Sequence, residues 1–209
     1  MCIIAIKERG IEFPSVEIVK TMCENNPHGF SIVWHDGKQV HRFRTMEIKD
    51  FISTYKKISD GDCEKTSLFI HARIKTHGTT KLSNCHGWRD SGLIFAHNGI
   101  LSIANREDMT DSETFFRDIF IPAYKVGGWK LGERTIEAII GTSKFVFMNT
   151  NGDIRHYGKY IEDNGVLYSN NTYLPYDMTA RYTHSCVQSR YRTWWERRLD
   201  TFDSQDMPF

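Results

Sequence analysis

The chain has 209 residues, 40% apolar and 13% aromatic, which is ample for one sizeable core. Lysine plus arginine (27) balances aspartate plus glutamate (26), so a formal charge of +1 provides no field to gather nucleic acid or an anionic membrane. The five cysteines are odd in number and never spaced C-x-x-C, and no apolar run reaches the length of a membrane span. A signal-peptide pattern is lacking as well, so a reducing, cytoplasmic setting is expected.

Residues 2–6 read as a short buried strand. Val16, Val19, Met22 and Cys23 recur at helical spacing after Pro14, and Asn26-Pro27-His28-Gly29 ends that helix. Residues 30–34 form a strand that Asp36-Gly37 turns into a returning strand near 39–44. A second amphipathic helix over 46–58 buries Phe51, Ile52, Tyr55 and Ile58. Two apolar runs follow, Leu68-Phe69-Ile70 and Leu93-Ile94-Phe95-Ala96, each passing abruptly into a polar cluster. Two strands that finish this way suggest two edges of one site.

Further along, Thr110 and Glu113 have the spacing of a capping box and place Asp111 in the first helical turn. Phe115, Phe116, Ile119 and Phe120 supply that helix's buried face. Gly127-Gly128 interrupts the chain before a helix over 133–140 that Gly141 ends. Asn151-Gly152 joins strands over 144–148 and 153–157, and residues 166–170 make a last strand ending in Ser169-Asn170.

The stretches HARIKTHG (71–78), NCHGW (84–88) and AHNG (96–99) together resemble the glutaminase domain of the class II (Ntn-type) glutamine amidotransferases. HGFSIVW at 28–34, TDSETFF at 110–116 and a cysteine at position 2 extend the resemblance over roughly residues 2–175, in the family's order. It implies an α+β fold, a four-layer αββα sandwich with mostly antiparallel sheets. It also implies that loss of Met1 leaves Cys2 as nucleophile, its own α-amine serving as base, a group with a reference pKa of about 7.7–8.0.

The residue types suit those roles. Arg73 offers a planar fork for an amino acid's α-carboxylate, with Thr76 and His77 lining the same pocket. By resemblance Asp111 takes the α-ammonium, Asn98 and Gly99 form the oxyanion hole, and Gly29 and His97 border the substrate. Family members also make backbone contacts near strand ends such as Ser169-Asn170. Ser31 stands where small members have glycine, and Cys85-His86-Gly87-Trp88 departs from the usual small-His-Pro-Phe pattern. His71, His77, His86 and His97 with Cys63 and Cys85 fit no common zinc spacing, so neither metal nor cofactor is expected.

The function implied is hydrolysis of the L-glutamine side-chain amide through a γ-glutamyl thioester, the ammonia passing to an acceptor on a separate synthetase subunit. Two alternatives stay open: a hydrolase of another γ-glutamyl or small amide, and a non-catalytic module with a retained pocket. Residues 1–175 make the domain. The 176–209 tail, with arginines among tyrosines and tryptophans but acids interspersed, reads as packing on the domain or docking a partner rather than binding nucleic acid.

Overall fold

In chain order the elements are β1 (Ile3–Lys7), α1 (Val16–Asn25), β2 (Phe30–His35), β3 (Val40–Thr45), α2 (Ile48–Ser59), β4 (Ser67–Ala72), β5 (Trp88–Asp90) and β6 (Leu93–Asn98). Then come α3 (Asp111–Thr114), a π-helical segment (Phe115–Phe120), α4 (Ile121–Ile139), β7 (Lys144–Asn149), β8 (Ile154–Tyr157), β9 (Ile161–Asp163) and β10 (Val166–Tyr168). This is a computed structural model that describes residues 2–75, 80–104, 106–107 and 109–175. The expectations for Thr76, His77 and the 176–209 tail lie outside the described residues.

Among the described residues ten strands form two sheets, β3-β2-β4-β1-β10-β9 and β5-β6-β7-β8, and every pairing is antiparallel. The side-chain period of two then sorts the apolar residues into three layers. Ile3, Ala5, Ile32, Leu68 and Ile70 face outward from the larger sheet, onto Val19 and Met22 of α1 and Phe51 and Tyr55 of α2. Phe95, Phe145 and Phe147 face outward from the smaller sheet, onto Phe115, Phe116, Phe120 and Ile136. Ile4, Ile6, Val33 and Phe69 meet Ile94, Ala96, Val146 and Met148 between the sheets. Helices, sheet, sheet, helices: the expected four-layer αββα sandwich. Both faces of each central strand are buried, which is why these strands read as unbroken apolar runs rather than alternating ones.

Local chemistry accounts for most boundaries. Ser15 Oγ accepts the Ile18 amide at 3.2 Å, and Thr110 Oγ1 accepts the Glu113 amide at 3.2 Å, so both side chains cap their helices. The other arm of the expected capping box is not made; Glu113 accepts instead from Arg117 Nε at 2.8 Å. Two short hairpins close with paired positive φ, at Ser91-Gly92 (47° and 77°) and at Asn164-Gly165 (51° and 79°). Their strands β5 and β9 have only three residues each, too short to register as periodic runs.

The helical stretch after Thr110 differs from the expectation. It runs from Asp111 to Ile139, with a wide π-type turn over Phe115–Phe120 and a break at Gly127 and Gly128. Pro122 has no amide to give back along the ladder, and the wide turn lets Phe115, Phe116 and Phe120 share the sheet-facing side. Phe95 lies at the middle of this layer, with ring centroids 5.1 Å from Phe116, 4.8 Å from Phe147 and 5.4 Å from Phe145.

Candidate active site

Antiparallel pairing decides which strand ends meet. Ile3 pairs with Ala72, so the start of β1 adjoins the end of β4. Ala5 pairs with Tyr168, so the end of β10 arrives at the same edge. The register carries Cys2, Arg73, Ser169 and Asn170 to one end of the larger sheet. The end of β6 joins them from the smaller sheet, where Asn98 Nδ2 lies 2.8 Å from Ser169 Oγ.

The backbone at the nucleophile candidate is held from both sides. Asn170 Nδ2 donates to the Cys2 carbonyl at 2.7 Å, and the Ser169 and Ile4 main chains and the Ser169 hydroxyl bind one another at 2.8–2.9 Å. The partly buried Cys2 thiol donates to the Ile74 carbonyl at 3.6 Å. Burial pushes the thiol pKa up, while the Ile74 backbone and the Arg73 charge pull it down. The net rise keeps the sulfur protonated, so the site needs a base to make it a nucleophile.

Arg73 continues β4 as an extra rung, its amide donating to the Gly29 carbonyl at 2.9 Å while His28 donates to the Arg73 carbonyl at 2.8 Å. Lys75 is fixed in turn by its amide bond to His28 Nδ1 at 2.8 Å. Gly29 therefore serves Arg73 through its carbonyl. Its φ is 124°, and a Cβ would stand 2.5 Å from Cys85 Sγ, so the absent side chain makes room for Cys85. The Arg73 side chain is 6% exposed, and its Nη1 has no hydrogen-bond partner among the described residues. A buried guanidinium nitrogen without an acceptor is costly. It is the clearest unmet demand for an anion in the molecule's described part.

Asn98 and Gly99 close β6. Gly99 has φ 149°, and a Cβ there would collide with Ser143 Oγ, so the turn passes where only glycine fits. His97 is buried, its Nδ1 2.7 Å from Ser112 Oγ and its ring edge-on to Phe145. It fastens β6 to the start of α3 and faces the helix layer. Asp111 accepts the Leu101 amide on one carboxylate oxygen and the Ser112 amide on the other, both at 2.8 Å. The carboxylate thus pins the loop after Gly99 to the first turn of α3 and keeps spare lone pairs for a cation. His28 and Ser112 lay inside the motif stretches without a role assigned to them, and nothing in the sequence marked Ser143; the contacts with Lys75, His97 and Gly99 come from the fold. The hydroxyl-then-amide ending of β10 was the one visible signal for Ser169 and Asn170.

His71, His86 and His97 form a stack, with centroids 3.8 Å apart between the first two and 6.4 Å between the last two. His86 Nδ1 accepts the His97 amide at 3.1 Å. Burial holds all three imidazoles neutral: His71 is lowered to about 3, with neighbouring His97 and Arg73 contributing, and His86 lies well below its ordinary value. His97 is lowered to about 4, the Asp111 charge partly opposing its burial. Among the described residues no group of three or more His, Cys, Asp or Glu converges to hold a metal.

Because each folded pKa is depressed, the unfolded chain binds more protons below pH about 6.5, and stability is lost as pH falls from there toward the folded values. Each histidine contributes a slope of up to about 1.4 kcal/mol per pH unit in that window. Denaturant midpoints at pH 7, 6 and 5 should fall steeply before the carboxylates titrate; a flat profile would contradict neutral burial of the stack.

Two facing antiparallel sheets, each covered by helices, make an Ntn-hydrolase-like four-layer fold. Solved structures share it. Glutamine phosphoribosylpyrophosphate amidotransferase from B. subtilis superposes at TM-score 0.55 and 16% identity, over 86% of this chain and 44% of that one. The allosteric regulatory enzyme of purine biosynthesis superposes at TM-score 0.54 and 17% identity, over 86% of this chain and 43% of that one. This chain therefore spans less than half the length of either. A glutamine aminotransferase class-II domain protein from Silicibacter pomeroyi reaches TM-score 0.45 at 16% identity, over 80% of this chain and 87% of that one, too low to add to the fold comparison. No family model matches the chain, and no curated protein sequence does.

Proposed function

We propose that the chain is the glutaminase part of a class II glutamine amidotransferase, hydrolysing the L-glutamine side-chain amide with Cys2. The observation that carries this reading is the buried Arg73 guanidinium with an unpartnered nitrogen, one residue from Ile74, whose carbonyl holds the Cys2 thiol. An amino acid's α-carboxylate would fill that demand as a fork-to-fork pair. Asp111 would take the α-ammonium from the first turn of α3, and Thr76 and His77 would complete the pocket.

Removal of Met1 gives Cys2 a free α-amine, which accepts the thiol proton as sulfur attacks the γ-carboxamide carbon. The tetrahedral oxyanion is held by the Asn98 side-chain amide and the Gly99 main-chain N–H. The protonated amine then gives its proton to the leaving nitrogen, releasing ammonia and leaving a γ-glutamyl thioester. Water, deprotonated by the same amine, releases glutamate and restores the thiol. Ammonia goes to an acceptor site on a partner chain, and the four described cysteines, all free thiols, suit a reducing compartment such as the cytoplasm.

Intact-protein mass combined with ammonia release tests the reading. Protein lacking Met1 that frees ammonia from glutamine supports it. Processed protein that ignores glutamine but cleaves another γ-glutamyl amide would shift the substrate. Retained Met1 with no turnover would overturn the enzyme reading.

A further inference from the structure

Ser169 is 3% exposed and Asn98 2% exposed, and they meet across the interface between the two sheets, 71 residues apart in sequence. Ser169 continues β10 beyond Tyr168 and faces inward with Leu167, while Asn98 faces inward with Ala96 on β6. The Ser169 oxygen already accepts the Ile4 amide at 2.8 Å. With the Asn98 nitrogen also turned toward it, both oxygen lone pairs are engaged by donors and the hydroxyl proton has no acceptor among the described residues. At the same time Asn98 Oδ1 is buried without a partner among the described residues. One arrangement thus leaves two polar groups unsatisfied in one place among the described residues, which is costly for buried groups.

A half-turn of the terminal amide satisfies the Ser169 hydroxyl and the Asn98 oxygen together and moves the unmet hydrogen bonding onto the Asn98 NH2. Oxygen and nitrogen exchange places with almost no change in shape. The Ser169 O–H then donates to Asn98 Oδ1, the oxygen keeps the Ile4 amide as its donor, and the Asn98 NH2 takes the place of the orphaned oxygen. We infer that Ser169 is a positioning residue: its hydroxyl, oriented by the start of the strand that carries Cys2, captures the Asn98 oxygen and leaves the Asn98 nitrogen free to donate to an oxyanion. This rests on the glutaminase reading for its consequence, though not for its geometry. It ties the two halves of the chemistry to one atom, because the same hydroxyl oxygen that receives the Ile4 amide, two residues from the nucleophile, sets the oxyanion donor.

Kinetics and neutron diffraction test it together. Ser169→Ala should lower kcat for glutamine roughly 10- to 100-fold with KM little changed, less than the 10²–10³ typical of deleting an oxyanion donor outright. Ser169→Thr, which keeps the hydroxyl, should restore most of the rate, and Ser169→Ala should cost nothing further in an Asn98→Ala background. A folded Ser169→Ala protein with wild-type kcat overturns the inference. In crystals of deuterated wild type, the neutron map should place the hydroxyl deuteron between Ser169 and Asn98 and both amide deuterons on the far side. Amide deuterons facing Ser169 overturn it whether or not the protein turns over glutamine. A wild type inactive on glutamine that shows the expected deuterons would instead count against the function alone.

Discussion

Cys2→Ala should abolish glutamine-dependent ammonia release while leaving the fold intact. Removing a nucleophile from a catalytic set costs on the order of 10⁶ in kcat in well-studied hydrolases, and what remains reflects binding and the oxyanion hole alone. Here the fall should reach at least about 10⁴, because no other described thiol can substitute: Cys23 and Cys85 are buried, and Cys63 lies beside Glu12. Stability should hardly change. The side chain is only partly buried and makes one long polar contact, to the Ile74 carbonyl at 3.6 Å, and alanine at position two still permits removal of Met1. Cys2→Ser should also lose most activity, since a hydroxyl is a far weaker nucleophile for the same α-amine base. Ammonia assays on wild type and both variants, with melting curves alongside, decide it. Turnover in Cys2→Ala within tenfold of wild type would falsify the thiol mechanism.

Arg73 should separate binding from stability. If it grips the α-carboxylate, Arg73→Ala forfeits charge-assisted hydrogen bonds worth about 1.5–3 kcal/mol each, so kcat/KM for glutamine should drop by about 10²–10⁴. Arg73→Lys keeps a point charge but not the fork and should fall between the two. The free protein should not suffer. Arg73 is 6% exposed and its Nη1 has no partner among the described residues, so its burial is a cost that methionine removes. The melting temperature of Arg73→Met should therefore match or exceed wild type, while added glutamate stabilises wild type only. A variant that loses stability together with activity would mark Arg73 as a structural ion instead.

Several features were readable from local patterns because their causes are local. The apolar runs at 68–70 and 93–96, the capping hydroxyls Ser15 and Thr110, and the Asp36-Gly37 and Asn151-Gly152 turns all state their structure within a few residues. The order of helices and strands, joined to the motif resemblance, was enough to anticipate the αββα sandwich. Harder to see were β5 and β9, at three residues each, and the π-type turn at Phe115–Phe120, which arises where Pro122 and a phenylalanine-rich sheet face act on the same stretch.

Of the candidate site, the amino acids alone determined the identities: a cysteine at position two, an arginine after one buried strand, Asn-Gly after another and an acid in a capped first turn. What only the tertiary structure decided is how they are coupled. Strand register brings the ends of β1, β4 and β10 together and sets Ser143 against Gly99 beside the β6–β7 pairing, and sheet-on-sheet packing sets Ser169 against Asn98. Likewise it stacks His71 on His86 and leaves Arg73 buried with a nitrogen unpaired. These contacts join residues that are mostly far apart along the chain. Propensity and spacing act over a few residues, whereas burial and hydrogen-bond satisfaction are properties of the packed layers.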